Sequence, residues 1–117
     1  MNYQEINTFE KVLAFKGETT EQFNQRTAGM EPDEVGYQKC KAIAFAMNGG
    51  KHVTKGYEIW FFNPNKSASG FSFCVVHFAD AYSRVGSRLL IENREAAKFA
   101  GKTFPKEYSL FINARED

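Results

Sequence analysis

Three short apolar runs between Tyr57 and Ile91 constrain this chain more than any other stretch. Tyr57–Phe62, Phe71–Phe78 and Arg88–Ile91 are separated by two turn-rich connections, and the sequence on either side of them has helical spacing. Asn63, Pro64, Asn65 and Gly70 favour turn geometry, so the first two runs read as a hairpin. Short connections place successive strands side by side, which predicts a three-stranded antiparallel meander with Arg88–Ile91 as its third strand. Alternation puts Tyr57, Ile59 and Phe61 on one face of the first strand and Glu58, Trp60 and Phe62 on the other. Aromatic residues on both faces predict that each face is at least partly covered. In the second strand Phe71, Phe73, Val75 and His77 share one face, and Ser72, Cys74, Val76 and Phe78 the other.

The flanking sequence supplies the helices. Thr8 is placed to cap a helix from Phe9 to about Lys16, with Gly17 as its stop. Thr19 and Gln22 have the spacing of a capping box, opening a brief surface helix anchored by Phe23 and ending near Ala28-Gly29. Pro32 suits a first helical turn, and Glu31, Asp33 and Glu34 put negative charge at its positive end. Gly36, Cys40, Ile43 and Met47 continue that helix until Asn48-Gly49-Gly50, with Lys39 and Lys41 on its outer side. Its alanines predict close packing on something flat, such as the sheet. Asn93 caps Arg94–Ala100, with Gly101 breaking or ending that helix, and Pro105 opens a further helical piece through Ile112. The series Ala96, Ala100, Phe104, Tyr108, Ile112 predicts a continuous or kinked helical arm, with an edge strand over 108–112 as the alternative. The expected fold is therefore a single α+β domain over residues 1–117: N-terminal helices, the meander, and a C-terminal helical arm packed on the sheet.

Charge limits the function classes. A formal net charge of +1 excludes strong global attraction to nucleic acid or membrane. The charge is uneven, however: residues 1–50 carry −2 and residues 51–117 carry +3. No apolar run approaches the roughly 20 residues of a spanning helix, and the N-terminal residues have no apolar leader core. The two cysteines lie inside apolar runs and read as small hydrophobes in a reducing compartment, so a cytoplasmic location without a membrane partner is expected.

Three sets of residues invite chemistry. Cys74, His77 and Asp80 have the identities of a nucleophile, base and acid, or of a metal site. Strand alternation, however, sends His77 to the face opposite Cys74, and only a bulge would reunite them. Gly49-Gly50-Lys51 lacks the flanking positions of a phosphate loop, and Gly86-Ser87-Arg88 lacks the strand-to-helix setting of a nucleophile elbow. The third set is basic: Ser83, Arg84, Ser87 and Arg88 precede the third strand, and Lys51, His52 and Lys55 precede the first. Arginine forks recognise phosphate or carboxylate, and convergence beside Trp60 or Tyr82 would add stacking, as a nucleotide or single-stranded nucleic acid requires. The bland alternative is solvated loops with one arginine paired to Glu58, Asp80 or Glu92. No cofactor or metal is expected.

Val85-Gly86-Ser87-Arg88-Leu89 followed by Glu95-Ala96-Ala97-Lys98-Phe99-Ala100-Gly101-Lys102-Thr103-Phe104 resembles a group of small proteins from gut Bacteroidetes, their phages and mobile elements. Ala46-Met47-Asn48-Gly49-Gly50, Tyr57, Trp60, Phe61, Gly70 and Phe71 match further parts of the pattern. Met47, Gly50 and Ile59 depart from it. The resemblance implies a setting more than a mechanism, and it favours helix for the C-terminal arm. The functional expectation is a non-enzymatic binding or adaptor protein of phage or mobile-element type, with a protein partner or a second copy of itself. The alternatives are a nucleotide or single-stranded nucleic-acid binder using the basic loops, and a small enzyme using Cys74, His77 and Asp80.

Overall fold

The structure, a computed structural model, describes residues 2–63, 70–80 and 89–113. A short 3-10 turn at Tyr3–Glu5 leads into α1 (Phe9–Phe15), α2 (Thr20–Thr27) and α3 (Pro32–Met47). The hairpin β1 (Lys55–Phe62) and β2 (Ser72–Asp80) follows, then α4 (Arg94–Thr103) and α5 (Pro105–Asn113). The caps are those the sequence encodes. Thr8 Oγ1 accepts from Lys11 N at 3.2 Å, and Asn93 Oδ1 accepts from Ala96 N at 2.9 Å. Both arms of the Thr19–Gln22 capping box close, at 2.9 and 3.1 Å. The C-terminal arm is helical but divided: Phe104 leaves helical geometry immediately before Pro105, and α5 starts afresh.

Two glycines decide how the layers meet. Gly36 lies on α3 where an added Cβ would stand 2.6 Å from Phe111 Cα and 2.8 Å from Leu110 C, so α3 and α5 pack nearly backbone to backbone. The alanine-rich helix thus packs chiefly on a helix, not on the sheet as its small residues predict. The helix against the sheet is α4. Gly101 neither breaks nor ends α4. It lies buried inside the helix, where an added Cβ would stand 2.9 Å from Ile59 Cγ2 and would strike the Phe73 ring. Phe104 and Tyr108 continue the core from α4 into α5, with the Tyr108 ring centroid 5.2 Å from that of Phe61.

The sheet departs from the expected meander. Among the described residues it has two strands, and the predicted third strand is reduced to a single bridge. Tyr57 N donates to Ile91 O at 2.8 Å and Ile91 N donates to Tyr57 O at 3.2 Å, so the segment pairs with β1 and not with β2. Residue 91 is also held from the helical side, by Asn48 as described below, which explains why it docks there. A second departure is a β-bulge: Trp60 pairs with Val75 and Phe61 with Phe73, leaving Cys74 as the extra residue. The bulge shifts the alternation of β2 by one, so Phe71, Phe73 and Val76 join the core while Val75 and His77 do not. The outer face carries Trp60, 52 % exposed, and Phe62, 58 % exposed, so its cover is partial. A small cluster of Val53, Ala79 and Leu90 covers only one end of it.

Candidate functional site

Two helices end at the same place with the same device. At the end of α1, Gly17 N donates to Ala14 O and Glu18 N to Leu13 O. At the end of α3, Gly49 N donates to Ala46 O and Gly50 N to Phe45 O. Both are Schellman closures, each turning on a glycine at positive φ, +80° at Gly17 and +66° at Gly49. The two closures bring the last turns together, where the Phe15 and Phe45 rings meet edge to face at 5.9 Å.

The chain leaving α3 then bounds a cleft of about 390 Å³, lined by Lys16, Lys41, Lys51 and His52 around Phe45 and Asn48. Its apolar side is completed by Val53 and Leu90. Asn48, 8 % exposed, is the structural pin: its Nδ2 donates to Leu90 O and its Oδ1 accepts from Glu92 N, both at 2.8 Å. That clamp fixes residues 90–92 against the end of α3 and completes the wall.

The electrostatics of the cleft are positive. Lys16 Nζ lies 5.9 Å from the Phe45 centroid, and that ring remains 38 % exposed. Lys51 Nζ reaches Glu92 Oε1 at 3.4 Å, an exposed pair of the weak kind. The stem of Lys41 lines the cleft while its ammonium lies 5.9 Å from the Tyr37 ring. Helix C-termini attract cations, which offers a purely structural account of Lys16 and Lys51. Here, though, backbone amides already bind carbonyls of both last turns, so the lysines are not needed to satisfy them. The Lys16 and Lys51 ammonium groups against the Glu92 carboxylate leave the concavity with a cationic excess.

The residues expected to form one basic site divide. Lys51 and His52 line the cleft. Lys55 opens β1 opposite Asp80, and Trp60 lies five residues further along the strand, roughly 17 Å at the usual rise. The Trp60 ring meets His77 on the outer sheet face at 4.6 Å, and its Nε1 donates to Glu58 Oε2 at 3.3 Å. Tyr82, Ser83, Arg84, Ser87 and Arg88 lie outside the described residues. Sequence reasoning missed Lys16, Lys41, Phe15, Phe45 and Asn48. The available signal was that Lys16 stands one residue before, and Lys51 one residue after, a glycine that stops a helix.

The Cys74–His77–Asp80 arrangement gains its bulge, yet the pieces do not assemble into a nucleophile and base. Three residues of strand separate Cys74 from His77 by about 10 Å, and the His77 ring is engaged with Trp60. Among the described residues no group of three His, Cys, Asp or Glu side chains is placed to hold a metal ion. The other cysteine, Cys40, is buried in the α3–α5 interface with its Sγ 3.7 Å from Glu107 O. Burial, aided by the Glu107 charge, pushes its thiol far above the usual range and makes it a poor nucleophile. No helix among the described residues is long and apolar enough to cross a membrane. Searches with family models, against curated proteins and against solved structures find no match to the chain.

Proposed function

We propose that this is a non-enzymatic binding protein that captures a small anionic ligand in the cleft between the ends of α1 and α3. One observation carries the reading: Lys16, Lys41, Lys51 and His52 surround a partly exposed Phe45 ring in one concavity of ligand size. Charge supplies attraction and the ring supplies a flat apolar surface. The phage or mobile-element setting belongs to the same proposal, as a place where a small accessory binder would act.

Calorimetric titration with pyrophosphate and nucleoside phosphates at two salt concentrations tests it. Binding that weakens with salt and falls at least fivefold in Lys16→Gln and Lys51→Gln is expected. Absence of binding to every anion at low salt removes the reading.

A second reading rests on Trp60 and Phe62, whose exposure on the outer sheet face is that of a contact surface. Its occupant would be a second copy of the chain. Light scattering of the wild type and of Trp60→Glu separates a dimer closed by this face from a monomer.

A further inference from the structure

The cleft's chemistry narrows its ligand beyond "small anion". Resting on the binding role proposed above, we infer that the cleft takes a nucleoside monophosphate, gripping its terminal phosphate while leaving the base unread. Three observations lead there.

The first is the split between charge and ring. Lys16 lies over the Phe45 ring and Lys51 lines the same cleft, so a group carrying two negative charges suits the pair of them. Phe45, with the Phe15 edge behind it, presents planar carbon surface next to that charge. An aromatic base joined to a phosphate matches such a pairing; a bare phosphate leaves the ring unused.

The second is that the cleft's one amide is occupied. Both ends of the Asn48 side chain are held by Leu90 O and Glu92 N. An amide able to pair with a base edge is the usual reader of adenine or another base, and here it is 8 % exposed with its nitrogen and its oxygen each already bound to backbone. Stacking and charge with that amide turned to the backbone favour no base strongly.

The third is that, among the described residues, the charge does not continue past Phe15. On the far side of Phe15 a second groove of about 580 Å³ is lined by Glu5 as well as Lys11, and Lys11 Nζ is bonded to Asn7 Oδ1 at 3.0 Å. A strand of nucleic acid needs a cationic track that follows its backbone, and this groove is charge-balanced. The cleft formed by the described residues is therefore sized for one phosphate group and its base.

Glu92 sets the affinity. Its backbone is fixed by Asn48 while its carboxylate holds Lys51, so an incoming phosphate must displace it. An exposed pair of this kind costs up to about fivefold in affinity to break.

The test is a calorimetric panel at low salt: AMP, GMP, CMP, cyclic AMP, ribose 5-phosphate, pyrophosphate and a short oligothymidylate, with wild type and Glu92→Gln. The three monophosphates should agree within about threefold and exceed ribose 5-phosphate and cyclic AMP by fivefold or more. Glu92→Gln should tighten AMP two- to fivefold. Equal binding of AMP and ribose 5-phosphate, equal binding of AMP and cyclic AMP, a strong preference for one base, or tighter binding of the oligonucleotide would each overturn the inference while leaving anion capture intact. If no anion binds either protein, the binding role itself is lost.

Discussion

Replacing Gly36 by alanine sets helix propensity against the close approach of α3 and α5. Within a helix the change alone stabilises by about 0.5–1 kcal/mol, because alanine loses less backbone entropy. Against this, the new methyl would stand 2.6 Å from Phe111 Cα and 2.8 Å from Leu110 C. Ordinary carbon contacts are about 3.5–4.0 Å, so α5 must retreat by about 1 Å. A helix backbone cannot swing aside as a side chain can, which places the cost near the upper end of overpacking, about 3 kcal/mol. The net loss is about 2 kcal/mol, or about 8 °C in Tm for a domain of this size. Gly101→Ala is the matched comparison. Its neighbours are side-chain atoms of Ile59 and of the half-buried Phe73, not helix backbone, so its net loss should be smaller than that of Gly36→Ala. Scanning calorimetry and urea unfolding of both variants measure the difference, with an unchanged urea slope as the check that the denatured state is comparable. A Tm for Gly36→Ala equal to or above wild type would refute the close-approach account of this interface.

Other consequences are as direct. The Tyr108 hydroxyl is buried without a hydrogen-bond partner among the described residues, so Tyr108→Phe should be neutral or stabilising by up to about 1 kcal/mol; a loss greater than 1 kcal/mol in urea unfolding would contradict this. Cys40 is buried and Cys74 half-buried, so alkylation followed by peptide mass spectrometry should mark Cys74 first and Cys40 only as the protein unfolds. Early labelling of Cys40 would mean that the α3–α5 seam opens locally. Arg26 bonds both Glu18 oxygens, one at 3.1 Å, and this holds the Glu18 carboxyl below its ordinary value although burial acts the other way. A lowered folded value adds stability above the ordinary carboxylate range and loses it as pH falls through the folded value. Glu18→Gln should therefore cost about 0.5 kcal/mol at pH 7, small because solvent screens the pair, and the cost should vanish as pH falls through the lowered Glu18 value. A gap that persists in acid would assign the effect to packing.

What the sequence discloses here follows the range of the interactions involved. The helix boundaries were legible because Thr8, Thr19, Asn93, Gly17 and Gly49 act on amides and carbonyls a few residues away. The α+β class was legible for the same reason, since hairpin and helix periodicities are local. The third strand was not, because the docking of Ile91 on β1 depends on Asn48, more than forty residues earlier, gripping both sides of it. Nor was the phase of β2, since nothing around Cys74 marks it as the residue that the ladder skips. Small residues in α3 announced a close neighbour without saying which, and the neighbour was α5.

The site was half legible, and the missing half shows what makes it a site. Lys51 and His52 stood out as charged loop residues, whereas Lys16 read as the end of a helix, Lys41 as an outer-face charge and Phe45 as core. Lysines beside rings are not rare in this chain: Lys39 lies 5.3 Å from the Phe9 centroid and Lys102 5.7 Å from that of Phe73. Each of those lies over a single ring, and neither lines the cleft. At the ends of α1 and α3 the same residue types line a concavity, so their fields overlap in a volume from which a ligand would displace water. The fold, meanwhile, makes little use of that charge, because backbone amides close both helix ends and Asn48 binds the wall. Cationic groups gathered in a concavity around an aromatic ring that the fold leaves partly exposed are the physical reason to look for a ligand there before looking at the outer sheet face.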